Sequence, residues 1–341
     1  MINKTKKFIL LGLTLSILVL AMVSAASATT YNFAPGASSA LIQHIADTDC
    51  KDGDVINLNG TFNNISLNIN KSLTINGVND ATLNGRNNAD PIFNVTANNV
   101  TISNFILNGS GANGTLIIFT NVENAKVVGN IINSFGLDST AIRLTSVQGA
   151  TIEGNDLDGN NAGRDGIGVV NSSDITIDDN EISSFTRNGI SLAAGFMGDN
   201  TTSTVDVLIQ YNEFVDIGAE CIFFGGGVSH VDILYNFFLD FKMNGINLAR
   251  SASNVLIKGN EFDSTSNTSV AIRLEENNIF HNGTPTTLTN VVVINNSIFD
   301  AHIGILLYNV NNASNLETIL EQDNQDNLAT IPIKIETGPQ T

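Results

Sequence analysis

The feature that most limits what this chain can fold into is a repeat. Thr151-Ile152-Glu153-Gly154-Asn155-Asp156-Leu157 is echoed by Thr176-Ile177-Asp178-Asp179-Asn180-Glu181-Ile182. The stretches from Leu208 to Phe214, Asp232 to Phe238 and Leu256 to Phe262 carry the same pattern. A second line alternates with it: Ala141-Ile142-Arg143-Leu144, Gly166-Ile167-Gly168-Val169, Gly189-Ile190-Ser191-Leu192 and Gly245-Ile246-Asn247-Leu248. Asn130, Asn155 and Asn180 are 25 residues apart; Asn212, Asn236 and Asn260 are 24 apart. A fixed period in this range marks a solenoid. Within each line apolar and polar residues alternate, the pattern of a strand. A single coil cannot bury enough apolar surface to offset the ordering of its backbone, so coils must stack.

The chain divides accordingly. Residues 1–28 read as a secretory signal: Lys4, Lys6 and Lys7, an apolar run from Phe8 to Val23, then Ala26-Ser27-Ala28 as a small-residue cleavage site. Residues 29–54 form an N-terminal cap. Ser38-Ser39 supplies a helix N-cap, and Leu41, Ile42 and Ile45 fall on one helical face. Such a helix would cover the open end of the stack. Residues 55–313 carry the coils, and 314–341 one degenerate last coil and a tail. Cys50 and Cys221 fall several coils apart, too far to be bridged, so both are expected to be buried free thiols.

The I-x-x-N-x-[ILF] line alternating with G-I-x-L resembles the right-handed parallel β-helix of the pectate-lyase-like superfamily. More narrowly, it is similar to the β-helix repeats of adhesin-like surface proteins. The opening Asp52-Gly53-Asp54-Val55-Ile56-Asn57-Leu58, with Lys71 to Gly77, looks like the first coils of that group. The resemblance covers residues 38–310. It implies an all-β, single-stranded right-handed parallel β-helix, here of about ten coils, with a short N-terminal capping helix. Enzymes of that superfamily carry motifs that this chain lacks: Gly-His-Gly, Arg-x-Lys and Asp-Pro-His-Asp are all missing.

The ladder is expected at Asn130, Asn155, Asn180, Asn212, Asn236, Asn260 and Asn296. Pointing inward, these amides would bond to one another; pointing outward, they would be a row of turn residues. The formal charge of −18 repels nucleic acid and anionic membranes, and disfavours polyuronates unless a cation bridges them. Asp156, Glu181 and Glu213 would align as a carboxylate row on adjacent coils. Ca²⁺ is the ion such a row would suit; a solvated acidic face is the alternative.

Two long insertions, Gly195 to Thr204 and Asn277 to Thr289, fall at the same place in the coil and would wall a shallow cleft. Arg187, Phe223, Lys242, Asn247, Arg250 and Glu275 would line it as glycan contacts, and Glu220 is the candidate acid or base. The expected function is a secreted or cell-surface protein that binds a carbohydrate or cell-envelope polymer without catalysis and without cofactor. A polysaccharide lyase or glycoside hydrolase and a structural spacer are the alternatives. No membrane insertion is expected once the signal is removed.

Overall fold

The computed structural model describes residues 27–86, 88–109, 111, 114–134, 136–193, 203–276, 286–310, 325–326 and 329–336. Nearly all of the expected signal segment, and most of the insertions Gly195 to Thr204 and Asn277 to Thr289, lie outside these residues.

One coil shows how sequence becomes shape. Gln148–Glu153 is a strand whose inward residues are Ala150 and Ile152. Gly154, at φ +61°, and Asn155 turn the chain into a short strand, Asp156–Asp158, with Leu157 inward. A longer turn leads to Asp165–Val170, with Ile167 and Val169 inward. Asn171, at φ +50°, then starts the next coil. One turn later each residue meets its counterpart in parallel register: Ile152 beside Ile177, Leu157 beside Ile182, Ile167 beside Ile190. Repetition yields a 20-stranded sheet, with two strands from most coils, and an 11-stranded sheet. The eleven strands of that sheet among the described residues agree with the expected stack of about ten coils.

The core is one continuous column. Ile152, Leu157, Ile167 and Val169 are all fully buried. Phe214, Phe238 and Phe262 stack at centroid spacings of 4.9 and 4.5 Å. The small residue before the inward Ile has a steric reason at Gly245, where a Cβ would lie 2.7 Å from the Phe262 ring. Cys221 fills the same place in its coil. Cys50 and Cys221 are buried and free.

The Asn side chains point inward. Asn155 Nδ2 donates to Asn180 Oδ1 at 2.9 Å, Asn180 to Asn212 at 2.9 Å, and Asn212 to Asn236 at 3.0 Å. The chain of bonds runs from Asn130 through Asn260 to Asn296. Each Asn before the last also donates its backbone N–H to the next amide oxygen. No ladder residue is more than 2% exposed. A buried amide without such partners would be costly.

The residue before each ladder Asn is left-handed: Gly129, Gly154, Asp179, Tyr211, Tyr235, Gly259 and Asn295. Gly, Asn and Asp adopt this conformation readily, whereas for other residues it costs ~1–2 kcal/mol. The tyrosines are therefore the two strained members of the row.

At the N-terminus, Thr30–Phe33 adds a strand against Val55–Leu58. The helix Ser39–Thr48 follows, with Ser38 Oγ accepting from Leu41 N–H. Ile42 and Ala46 are its buried residues, while Leu41 is 47% exposed, so the packed face is narrower than the sequence suggests. This helix caps the first strand of the 11-stranded sheet, Leu67–Ile69. Gln43 Oε1 accepts from Asn68 N–H and Gln43 Nε2 donates to Asn68 C=O. At the far end Ile331–Glu336 pairs with Ile303–Tyr308.

Candidate functional site

The outer face of the 11-stranded sheet carries the side chains that the core does not take. Its central outward row runs Ile118, Arg143, Gly168, Ser191, Phe223, Asn247, Arg273. A groove of about 450 Å³ opens along it, lined by Arg143, Arg164, Arg187 and Arg250 with Asp165, Ser191 and Phe223. The sequence has only six arginines, and four of them meet here. Two enter by the same local route. Arg164-Asp165-Gly166-Ile167 and Arg187-Asn188-Gly189-Ile190 are equivalent entries into successive strands, and Arg187 N–H donates to Arg164 C=O.

The groove holds unmet hydrogen-bond capacity. Asp165 is 8% exposed; Arg164 Nε lies 3.3 Å from its Oδ2, but Oδ1 has no partner. The Asn171 Oδ1 atom, also on the groove wall, has none either. The remaining orphans among the described residues, Asn188 Oδ1 and Asn247 Oδ1, belong to the same sheet. All four are oxygens that accept hydrogen bonds, and those of Asp165 and Asn171 belong to residues lining the groove. Burial raises the Asp165 carboxyl above its usual range, against the opposing pull of Arg164, Arg187, the backbone N–H of Asn188 and Arg143.

The expected contacts divide. Arg187, Phe223 and Arg250 line the groove, and Arg250 Nη1 donates to Gly225 C=O at 3.1 Å. Asn247 lies on the same face but is only 5% exposed, its amide held on Glu220 Oε1 at 3.3 Å. Glu220 also accepts from Asn244, so the candidate acid or base sits in an amide cradle beside the groove. Lys242 does not join them; its ammonium pairs with Asp216 at the turn before the strand. Glu275 is 7% exposed and bonded to Arg273, so it is a partner for that guanidinium and not an open contact. Sequence reasoning passed over Arg143, Arg164 and Asp165. The repeated Arg-[Asp/Asn]-Gly-Ile was the available signal.

Asp156, Glu181 and Glu213 do align, on the short strands of the other sheet, and the next coil places Phe237 in that register. Burial and then Asp158 raise the Asp156 carboxyl; burial, Asp156 and Glu213 raise that of Glu181. Among the described residues no group of three His, Cys, Asp or Glu is placed to hold a metal. The three carboxylates form a line along the rod, not a cage.

No protein-family profile and no curated protein matches the sequence. Solved structures do match. The Dettilon tailspike protein superposes with a TM-score of 0.59 at 15% identity, over 87% of this chain and 64% of that one. The chain thus spans under two thirds of that protein's length. The A-module of the mannuronan C-5 epimerase AlgE6 of Azotobacter vinelandii gives 0.58 at 14% identity, over 89% and 96%. PfbA, a surface adhesin of Streptococcus pneumoniae, gives 0.54 at 13%, over 88% and 85%. The fold is the right-handed parallel β-helix of the pectate-lyase-like type. At these identities the likeness establishes the β-helix alone. Among the described residues no helix is long and apolar enough to cross a membrane.

Proposed function

We propose that this β-helix protein binds an acidic polysaccharide along the arginine groove, outside the cell. One observation carries the reading: four of six arginines converge on a groove whose walls also hold the unpartnered oxygens of Asp165 and Asn171. Guanidinium forks suit carboxylates, and a uronic acid chain carries one on each ring. Phe223 adds an apolar surface to the groove for the sugar rings. Two of the superposing proteins fit this setting, an epimerase of mannuronan and a surface adhesin.

The test is affinity electrophoresis and calorimetry of the mature protein with oligouronates. Binding is expected, weakening with salt. Arg143→Ala with Arg187→Ala should weaken it about tenfold or more. Unchanged binding in that variant removes the reading.

Catalysis in the same groove is the second reading, and Asp165 favours it. Its carboxyl is buried, raised above the ordinary range and faced by guanidinium groups that would stabilise developing negative charge. Chain shortening or new unsaturation in a uronate product, lost in Asp165→Asn, would move the assignment from binding to catalysis.

A further inference from the structure

The bend that carries the Asn ladder has a second aspect on its outer side. Tyr211 and Tyr235 occupy consecutive coils, at φ +53° and +55°, where the rest of the row has Gly, Asp or Asn. They are 56% and 47% exposed. Their rings are 5.6 Å apart between centroids and within 11° of parallel. The Tyr235 ring lies across the backbone of the next coil: a Cβ on Gly259 would stand 2.5 Å from its Cε1. With one side against that backbone, the Tyr235 ring stacks its other side on Tyr211, which is the more exposed of the two. Half-buried Phe237 follows two residues on, and the in-register neighbours of Phe237 are Glu213 and Glu261. On the other side of the bend, Gln210, Leu234 and Lys258 stand in register.

Core packing does not account for these tyrosines, because they are half exposed. Local backbone preference does not account for them either, because the conformation disfavours them. Strained, exposed aromatics point to a contact with something outside the chain. We propose that Tyr211 and Tyr235 are a stacking platform for uncharged hexose rings, a second glycan site apart from the arginine groove. The apolar face of a hexose lies on the rings, and Glu213, Glu261 and Gln210 take its hydroxyl hydrogens. The carboxylates on this corner, with Glu181 one coil before Glu213, exclude an acidic chain. The charge therefore selects a neutral polymer here and an acidic one in the groove.

Asn suits the left-handed bend, so Tyr211→Asn with Tyr235→Asn removes the rings without disturbing the fold; a melting temperature no lower than that of the parent protein verifies this. The mature protein is run through gels containing soluble glucan, mannan, galactan, polygalacturonate or chitosan oligomers. At least one of the three neutral polymers should retard it. The double Asn variant should bind that polymer about tenfold more weakly. Tyr211→Phe with Tyr235→Phe should retain binding, and Arg143→Ala with Arg187→Ala should leave it unchanged. Retardation by none of the neutral polymers overturns the proposal. So does neutral binding that survives the Asn variant, or Tyr-dependent binding confined to the chitosan oligomers, which would mark a cation site. Because the arginine variant is read separately, failure of the platform leaves the groove standing, and the reverse.

Discussion

Asn180 concentrates the ladder's energetics in one side chain. Its Oδ1 accepts from both the backbone and the side-chain amide of Asn155, while its Nδ2 donates to Ile152 C=O, Asp178 C=O and Asn212 Oδ1. Leu at this place would remove all of these and leave a buried N–H of Asn155 without an acceptor. Each orphaned group costs ~1–3 kcal/mol, so Asn180→Leu should destabilise by about 3 kcal/mol or more. Thermal unfolding followed by circular dichroism checks this, with the folded spectrum retained. The ladder was legible because its role recurs at one place in every coil, so the letter recurs too. The arginine groove was legible only in Arg187, Phe223 and Arg250, because its members reach one place from different positions. Arg143 is outward in mid-strand, Arg164 and Arg187 precede their strands, and Arg250 follows one. Lys242 is expected in the same cleft as Arg250, but the turn directs it to Asp216.

At the scale of elements, the short strands holding Asp156, Glu181 and Glu213 carry a pH dependence whose direction is fixed. Burial and mutual repulsion raise Asp156 and Glu181, so their ionised forms disfavour the folded state. Their protonation adds stability as pH falls through the raised folded values. That gain is complete below the ordinary carboxylate range, near ~4. Glu181→Gln should therefore raise the melting temperature at neutral pH, and the gain should vanish in acid. Asp54 works the other way. The backbone N–H groups of Lys51 and Thr29 donate to it and hold its carboxyl below the usual range. Its contribution is present above the ordinary value and lost as pH falls through the lowered one. Melting curves of Glu181→Gln and Asp54→Asn across pH separate the two windows. The strand pattern foretold this row because register in a parallel stack equals the repeat length. The same register reads Phe237 as the end of the row, one place after its ladder Asn as Glu213 is after Asn212.

Across the whole molecule, net charge misdirects. A chain at −18 should repel acidic polymers, and the sequence reading followed that sum. Folding sorts the charge instead: four arginines gather on one face while carboxylates line the strands and bends of the other sheet. The field at a ligand is set within a Debye length of about 8 Å at physiological salt, so the groove's local charge governs contact. The rest of the surface still acts on whatever extends past it. From the strand Thr140–Thr145 to Asn244–Leu248 there are four strand spacings, or roughly 19 Å at ~4.8 Å each. Oligouronates should therefore gain affinity with length only until that span is filled. The next guanidinium along the row, Arg273, is already paired with Glu275, so longer chains should gain little, or lose, at low salt. Calorimetric titration with a graded series of oligouronates checks this. Affinity that climbs steadily with chain length would mean that the acidic polymer tracks a surface other than the arginine groove.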